Sequence, residues 1–316
     1  MFRLRAIFFA LLTAALALAN NVLAQNNRSA VSITGVDTAT CTVPDPCRTF
    51  GMALSVTNSG GEIIVLSSGG YGAFTINKPV SVIAPRGVHA SIAPASGDAI
   101  AINAGASDVV ILRGLRLVGL GAYEGIRANS VGTLHIESCI FSRFQGPAID
   151  VPGVSMQLLV LDTIARDNGN GVNDGGGLWL AGNPSGKAFA TVDGCEFRNN
   201  GHSATFYAAG IIISNNADVT VRRSVLVANF RGAQVGVDGR LALENCTVSE
   251  NAIGLLANGV GSPTPRATIR VSNCVMTHNT QLAIEVLPGG QVLSRGNNTV
   301  ADNAAGEIFS GPFLAK

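Results

Sequence analysis

Leu241–Asn251 reads LALENCTVSEN: apolar, any, apolar, any, any, Cys, any, apolar, any, any, Asn. The same frame returns at 134–144 (LHIESCIFSRF), 190–200 (ATVDGCEFRNN), 219–229 (VTVRRSVLVAN) and 269–279 (IRVSNCVMTHN). Taken as a phase marker, the Cys position is filled by Leu115, Cys139, Thr163, Cys195, Ser224, Cys246, Cys274 and Asn298, at intervals of 24, 24, 32, 29, 22, 28 and 24 residues. Self-similarity at a near-fixed period marks a solenoid, and the longer intervals read as the same unit with loops inserted.

The unit holds several short apolar stretches separated by Gly, Asn and Asp, which is the pattern of β-coils. Gly makes up 38 of the 316 residues, as a chain that turns sharply several times per unit requires. The rival is a leucine-rich repeat, whose signature also has the form L-x-L-x-x-C/N. That repeat leans on Leu, whereas these positions hold Val, Ile, Cys and Thr. The second half of each unit also carries Gly and β-branched residues where a helix would be needed. The expectation is an all-β parallel solenoid.

Residues 1–24 have the form of a secretory signal peptide, with Arg3 and Arg5, the apolar stretch Ala6–Ala19, and Val22-Leu23-Ala24 before the cut. This predicts a secreted or periplasmic protein with no membrane span after signal removal. Loss of the leader leaves 19 basic and 20 acidic residues, against a formal charge of +1 for the whole chain. With charged residues at only 13 % and no basic stripe, nucleic acid is excluded as a partner. Residues 25–60 are read as an N-terminal segment: polar and irregular to Pro46, with a Cys41–Cys47 disulfide expected from the exported context and the short Pro-rich spacing. Thr49–Asn58 is its helix, placed to cap the first open coil. Residues 61–316 form the solenoid.

A helix followed by GEIIVL (61–66), GGYG (69–72) and FTINKPVSVIAP (74–85) resembles the opening of right-handed parallel β-helix proteins of the pectin-lyase-like group. The later coils resemble the generic parallel β-helix repeat, and together the resemblance covers roughly 47–305. It implies a right-handed parallel β-helix capped by a short N-terminal helix. It does not imply an activity, because the fold hosts lyases, hydrolases, esterases, epimerases and tailspikes. A lyase of this group wants an Asp cluster for Ca²⁺ with a Lys or Arg base beside it. The three lysines of the mature chain, Lys78, Lys187 and Lys316, have no acidic setting in sequence. A polygalacturonase-like Asp-Asp and Gly-His-Gly set is missing, and so is a pectinesterase-like Gln-Asp-Thr. The first reading is therefore a non-catalytic exported scaffold that binds glycan or cell-envelope polymer through surface loops. The alternatives are a polysaccharide lyase or glycoside hydrolase of the pectin-lyase-like group, and a purely structural surface module.

Two residue stacks and one lobe follow from the phasing. The markers are expected to point inward, with Cys139, Cys195, Cys246 and Cys274 as buried thiols used as small hydrophobes. Asn168, Asn200, Asn229, Asn251, Asn279 and Asn303 each fall five residues after a marker, at a turn, where an amide can satisfy stranded backbone groups. The ladder Asn lies three residues before the small residue opening the next strand at Gly254 and four before Ala233, but nine before Gly177 and ten before Gly210. Two consecutive coils thus lengthen at one corner, and a projecting lobe is expected there. Long loops on a rigid scaffold are where binding concentrates. The candidate ligand-binding residues are Asn170, Asn173, Trp179, His202 and Tyr207. The one candidate metal is Ca²⁺, with Asp167 and Asp174 as oxygen ligands on a flexible backbone.

Overall fold

Strands this short bury their inner faces only by stacking coil on coil. The computed structural model describes residues 26–169, 175–201, 208–260 and 262–314, and between Thr57–Val65 and Thr299–Ala301 every third strand joins the same sheet. Three sheets of 12, 9 and 10 strands result, with neighbouring strands parallel. One coil illustrates the path. Arg240–Glu244 lies in the twelve-stranded sheet, Thr247–Ser249 in the ten-stranded sheet and Ile253–Ala257 in the nine-stranded sheet, and Ala267–Ser272 begins the next coil. Parallel crossovers of this kind are right-handed. The expected right-handed parallel β-helix is the fold, and the only helix among the described residues is Phe50–Val56.

Alternation sets what fills the core. Leu241 and Leu243, Val248, and Leu255 and Ala257 point inward from the three sheets, and the next coil repeats them with Ile269 and Val271, Met276 and Ile284. The chain turns between sheets on single left-handed residues. Those preceding the marker include Ser138, Asp162, Gly194, Arg223, Asn245 and Asn273. Those preceding the ladder position include Arg143, Asp167, Asn199, Ala228, Glu250, His278 and Asp302. Turns this tight bury backbone that no strand can pair, and the two stacks supply the partners.

The Asn stack is a continuous ladder of amides, buried from Asn168 to Asn279 and half-buried at Asn303. Asn251 Oδ1 accepts from the backbone N–H of Asn229 (3.0 Å) and from its Nδ2 (3.1 Å), while Asn251 Nδ2 donates to Asn279 Oδ1 (3.1 Å) and to the Leu226 carbonyl (3.0 Å). The same pattern runs from Asn168 to Asn303, where the Glu307 carboxylate takes the place of the next amide and accepts from Asn303 N and Nδ2. The marker stack works similarly. Cys195 N–H donates to Ser224 Oγ at 3.1 Å, and the Cys195 thiol donates to the Val160 and Asp193 carbonyls. Burial pushes the Cys139 thiol up to about 12 and Cys195 up to about 11, and the Cys274 sulfur, then burial, push Cys246 up.

The ends are covered. Thr49 caps the helix, accepting from Met52 N, and Phe50 packs its ring 4.5 Å from Phe74 and 5.3 Å from Tyr71. Here the structure departs from the sequence reading. Asn26–Val31, read as irregular, is the first strand of the twelve-stranded sheet, and the strand after the helix already begins at Thr57 rather than at 61. Its polar composition hid it, because the inward Ser29 is fully buried and bonded by Thr57 Oγ1. The Cys41–Cys47 disulfide is present. It staples a loop whose backbone bonds Ala30 and Ser32, so the outer edge of that first strand is not left open.

Two outcomes follow. Thiol titration of the mature protein should find no reactive Cys when native and four after denaturation, and two or fewer in denaturant would contradict the stack of free, buried thiols. Asn251→Ala should lower stability by about 1–3 kcal/mol, the cost of leaving buried backbone and amide groups unpaired; an unchanged denaturation midpoint would show that the ladder contributes nothing.

Candidate functional site

The outward positions of the nine-stranded sheet depart from a solvated face. In register across its strands they are Thr75, Ala101, Arg127, Asp150, Trp179, Ile212, Gln234, Leu256 and Glu285. From Asp150 to Leu256 most are buried although they point away from the core. The first coils stay open, with Thr75, Asn103 and Asn129 exposed and Ala101 and Arg127 half-buried.

At the border between the open and covered parts lies a charged cluster. Arg127 Nη1 donates to Glu124 Oε1 at 2.7 Å and to Asp150 Oδ2 at 3.2 Å, and its Nε donates to Asn129 Oδ1 at 3.1 Å. Asn129 in turn donates to Asn103 Oδ1 at 2.9 Å. The acids are deep, Glu124 at 2 % and Asp150 at 6 % exposure, while the Arg127 side chain is 37 % exposed. Glu124 Oε2 is buried without a hydrogen-bond partner. Burial and then the Asp150 carboxylate push Glu124 up to about 8, against the pull of Arg127; burial pushes Asp150 up to about 6, with Arg127 holding it down. Asp98, at the edge of the cluster, is also raised by burial.

Both carboxyls bond the same Arg127 nitrogen, and burial raises both above the ordinary carboxylate range. A cation already sits between the acids in the form of the Arg127 guanidinium. Among the described residues no group of three or more His, Cys, Asp or Glu is arranged to hold a metal ion.

The sequence-derived candidates fall as follows. Trp179 is half-buried on this face, paired in register with Asp150 on one side and Ile212 on the other. Asp167 lies at the turn before the first long loop, with Oδ1 accepting from Asn199 Nδ2 at 2.8 Å and Oδ2 from Arg166 at 3.2 Å. Asn170, Asn173, Asp174, His202 and Tyr207 lie outside the described residues. Register places Glu124 at the same corner of its coil as Gly176 and Ala209, which follow the two long insertions in sequence. Glu124, Arg127 and Asp150 were missed. Their signal was available in the third strand of each unit: aligned by alternation, GIRAN, AIDVP and GLWLA put Arg127, Asp150 and Trp179 in one outward row. The marker phasing had covered only the first two strands.

Residues 102–305 match the sequence model of the family described as right handed beta helix region. No curated protein sequence matches the chain. Among solved structures, pectate lyase Pel9A superposes with a TM-score of 0.67 at 14 % identity, over 92 % of this chain and 79 % of that one. An alginate lyase from Paenibacillus sp. str. FPU-7 gives 0.64 at 11 % identity, over 92 % and 99 %. XylC in complex with xylose gives 0.58 at 10 %, over 86 % and 68 %. At such identities the likeness is one of fold.

The acid pair has a pH signature. Each carboxyl is raised above its ordinary value of 4.5 or 3.8, so its contribution to stability is complete below that value and is lost as pH rises through the folded one, up to about 8 for Glu124. Glu124→Gln removes one titration. Its melting temperature should therefore gain on the wild type steadily between the ordinary carboxylate range and pH 8; parallel profiles for the two proteins would show that Glu124 is not raised.

Proposed function

Because the chain belongs to the right-handed β-helix family, a scaffold whose function lies in what its outer faces and loops display, we propose that it is an exported protein that binds a carbohydrate polymer across the open coils of the nine-stranded sheet and the adjoining lobe. The observation that carries this is Arg127, a half-exposed guanidinium locked by two buried carboxyls and an amide. Burying two acids is costly and a solvated strut would not need them, whereas a rigidly aimed donor suits a ligand. Around it Asn103, Asn129 and the carboxyls can bond sugar hydroxyls, and Tyr123 and Trp179 offer rings for apolar sugar faces. The lobe extends this surface with Asn170, Asn173, His202 and Tyr207, and Asp167 and Asp174 would supply a Ca²⁺ position within it. The solved neighbours named as pectate and alginate lyases, and XylC with its xylose, make glycan the favoured ligand class.

One observation favours a second reading. A pair of buried carboxyls raised toward neutral pH beside a half-exposed arginine is also equipped for acid–base chemistry on the bound polymer, as in a polysaccharide lyase of this fold. Both readings place the polymer at Arg127.

Binding of pectate, alginate and xylan to the mature protein, measured by affinity electrophoresis with and without Ca²⁺, tests the site. Arg127→Ala should weaken binding of the preferred polymer about tenfold or more, the loss of a charge-assisted contact. Equal mobility shifts for wild type and variant would remove this face as the binding surface. Release of shortened, unsaturated chains by the wild type and not by Glu124→Gln would decide for the catalytic reading.

A further inference from the structure

From Gly114 to Asn273 the corner between the twelve- and ten-stranded sheets is turned by a single left-handed residue in each coil. Gly114 stands alone between Arg113 and Leu115, which pair in register with Ile83 and Ala90 of the coil before. Between Ile83 and Ala90 the same turn takes six residues, 84–89. This longer loop is held at both feet. Ala84 N donates to the Arg113 carbonyl at 2.9 Å, and His89 N donates to Ser68 Oγ at 3.0 Å. At its tip Val88 N closes a turn on the Pro85 carbonyl at 3.0 Å, and Gly87 supplies the left-handed conformation with φ of 88°. The foot packs so closely that a Cβ on Gly114 would lie 2.3 Å from the Ala84 carbonyl oxygen. The loop therefore stands as a wall over the corner, and a hollow of about 630 Å³ opens between it and the next two coils.

Charge pairing along this corner is uneven. Three cross-coil pairs are matched: Arg113 with Glu137 at 2.6 Å, Arg223 with Asp193 at 2.7 Å and Arg222 with Glu244 at 3.5 Å. Around the hollow the balance fails. Glu137 is the one acid lining it, and Arg113 takes that carboxylate with both Nε and Nη2. Arg86, at the loop tip, and the half-buried Arg116 line the same hollow and form no ion pair among the described residues. The register partners of Arg116 are Ser91 and Ile140, so no acid faces it from either neighbouring strand. The apolar part of the wall comes from Ile83, Val88 and Ile140, each half-buried.

We infer that this hollow is a binding site for a small amphipathic organic anion, with its headgroup between Arg86 and Arg116 and its apolar body against Ile83, Val88 and Ile140. Two guanidiniums set in one concavity without an acid repel each other until they share an anion, and their forked donors match its oxygens. The half-buried aliphatic side chains offer area that an inorganic ion would leave wet, so the ligand carries an apolar body. Its size is that of ordinary small-molecule sites. Length decides against a polymer: the hollow spans three coils, two strand spacings or roughly 10 Å. The nine-stranded sheet takes no part in this corner, so the assignment does not depend on the reading of Arg127.

The test uses the mature protein and two fluorescent probes that share one apolar body, the anion anilinonaphthalene sulfonate and the neutral phenylnaphthylamine. The wild type should bind the anion saturably at one site, about tenfold or more tightly than the neutral probe. Arg86→Ala/Arg116→Ala should weaken anion binding about tenfold or more and leave the neutral probe's affinity in place, so that the protein no longer tells the two apart. Neither arginine holds an ion pair, so the melting temperature should be unchanged. Val88→Asp, which sets a carboxylate on the apolar wall, should weaken both probes and the anion most. No saturable anion binding by the wild type, equal anion affinity in the double variant, or a neutral probe bound as tightly as the anion would each overturn the assignment.

Discussion

The structure depends on how a buried turn keeps its backbone bonded. A coil that bends on a single left-handed residue strands an N–H and a carbonyl inside the protein, and an unpaired buried backbone group is among the more expensive defects a fold can carry. One Asn per coil answers it, because an amide accepts and donates at once. Asn229, Asn251 and Asn279 each satisfy a backbone N–H one coil back and a carbonyl farther back, and bond their own kind on either side. The ladder also fixes register. Slipping one coil by a residue would break the amide chain and turn core side chains to solvent together.

That device divides the molecule. The ladder starts at Asn168, whose Oδ1 accepts from Phe144 N, and ends on Glu307. In the coil before Phe144 the equivalent position is Leu120, 57 % exposed, and the corner is built instead from close backbone approaches at Gly119 and Gly121. A Cβ at Gly119 would lie 2.4 Å from the Arg143 carbonyl, and Gly121 has φ of 120°. Tyr123, Glu124 and Arg127 come from this corner and the strand it feeds. The two long insertions follow directly after Asn168 and Asn200 in sequence, so each begins from a ladder amide that is fixed on both sides.

Legibility in the sequence followed the same division. The marker and ladder rows were readable because stacking demands similar residues at a fixed period, and the buried thiols, the capping helix and the Cys41–Cys47 staple came with them. Asn26–Val31 was not readable: it lies outside the period, and its buried Ser29 is polar because Thr57 Oγ1 is there to bond it. The charged cluster was not readable from loop length, which singled out the long insertions and Trp179: Glu124 and Asp150 come together only through the parallel register of strands 23 residues apart, as Arg127 and Asp150 pair across it. In a solenoid the residues that build a site are one coil apart in space, so a motif contiguous in sequence is the wrong thing to seek.

Shared fold with enzymes does not make this chain one, since the coils carry any chemistry their outer rows display. The rows themselves say more. On the flank of the twelve-stranded face, opposite charges alternate from coil to coil and neutralise each other, which is what cross-strand pairing favours when nothing else is asked of a surface. At Arg86 and Arg116 that pairing is absent, and at Glu124 and Asp150 two acids are buried around one arginine at a cost that folding alone does not recover. Repetition makes these exceptions informative. In a molecule where nearly every position has a counterpart one coil away, a residue unlike its counterparts has been kept for a reason the core does not supply.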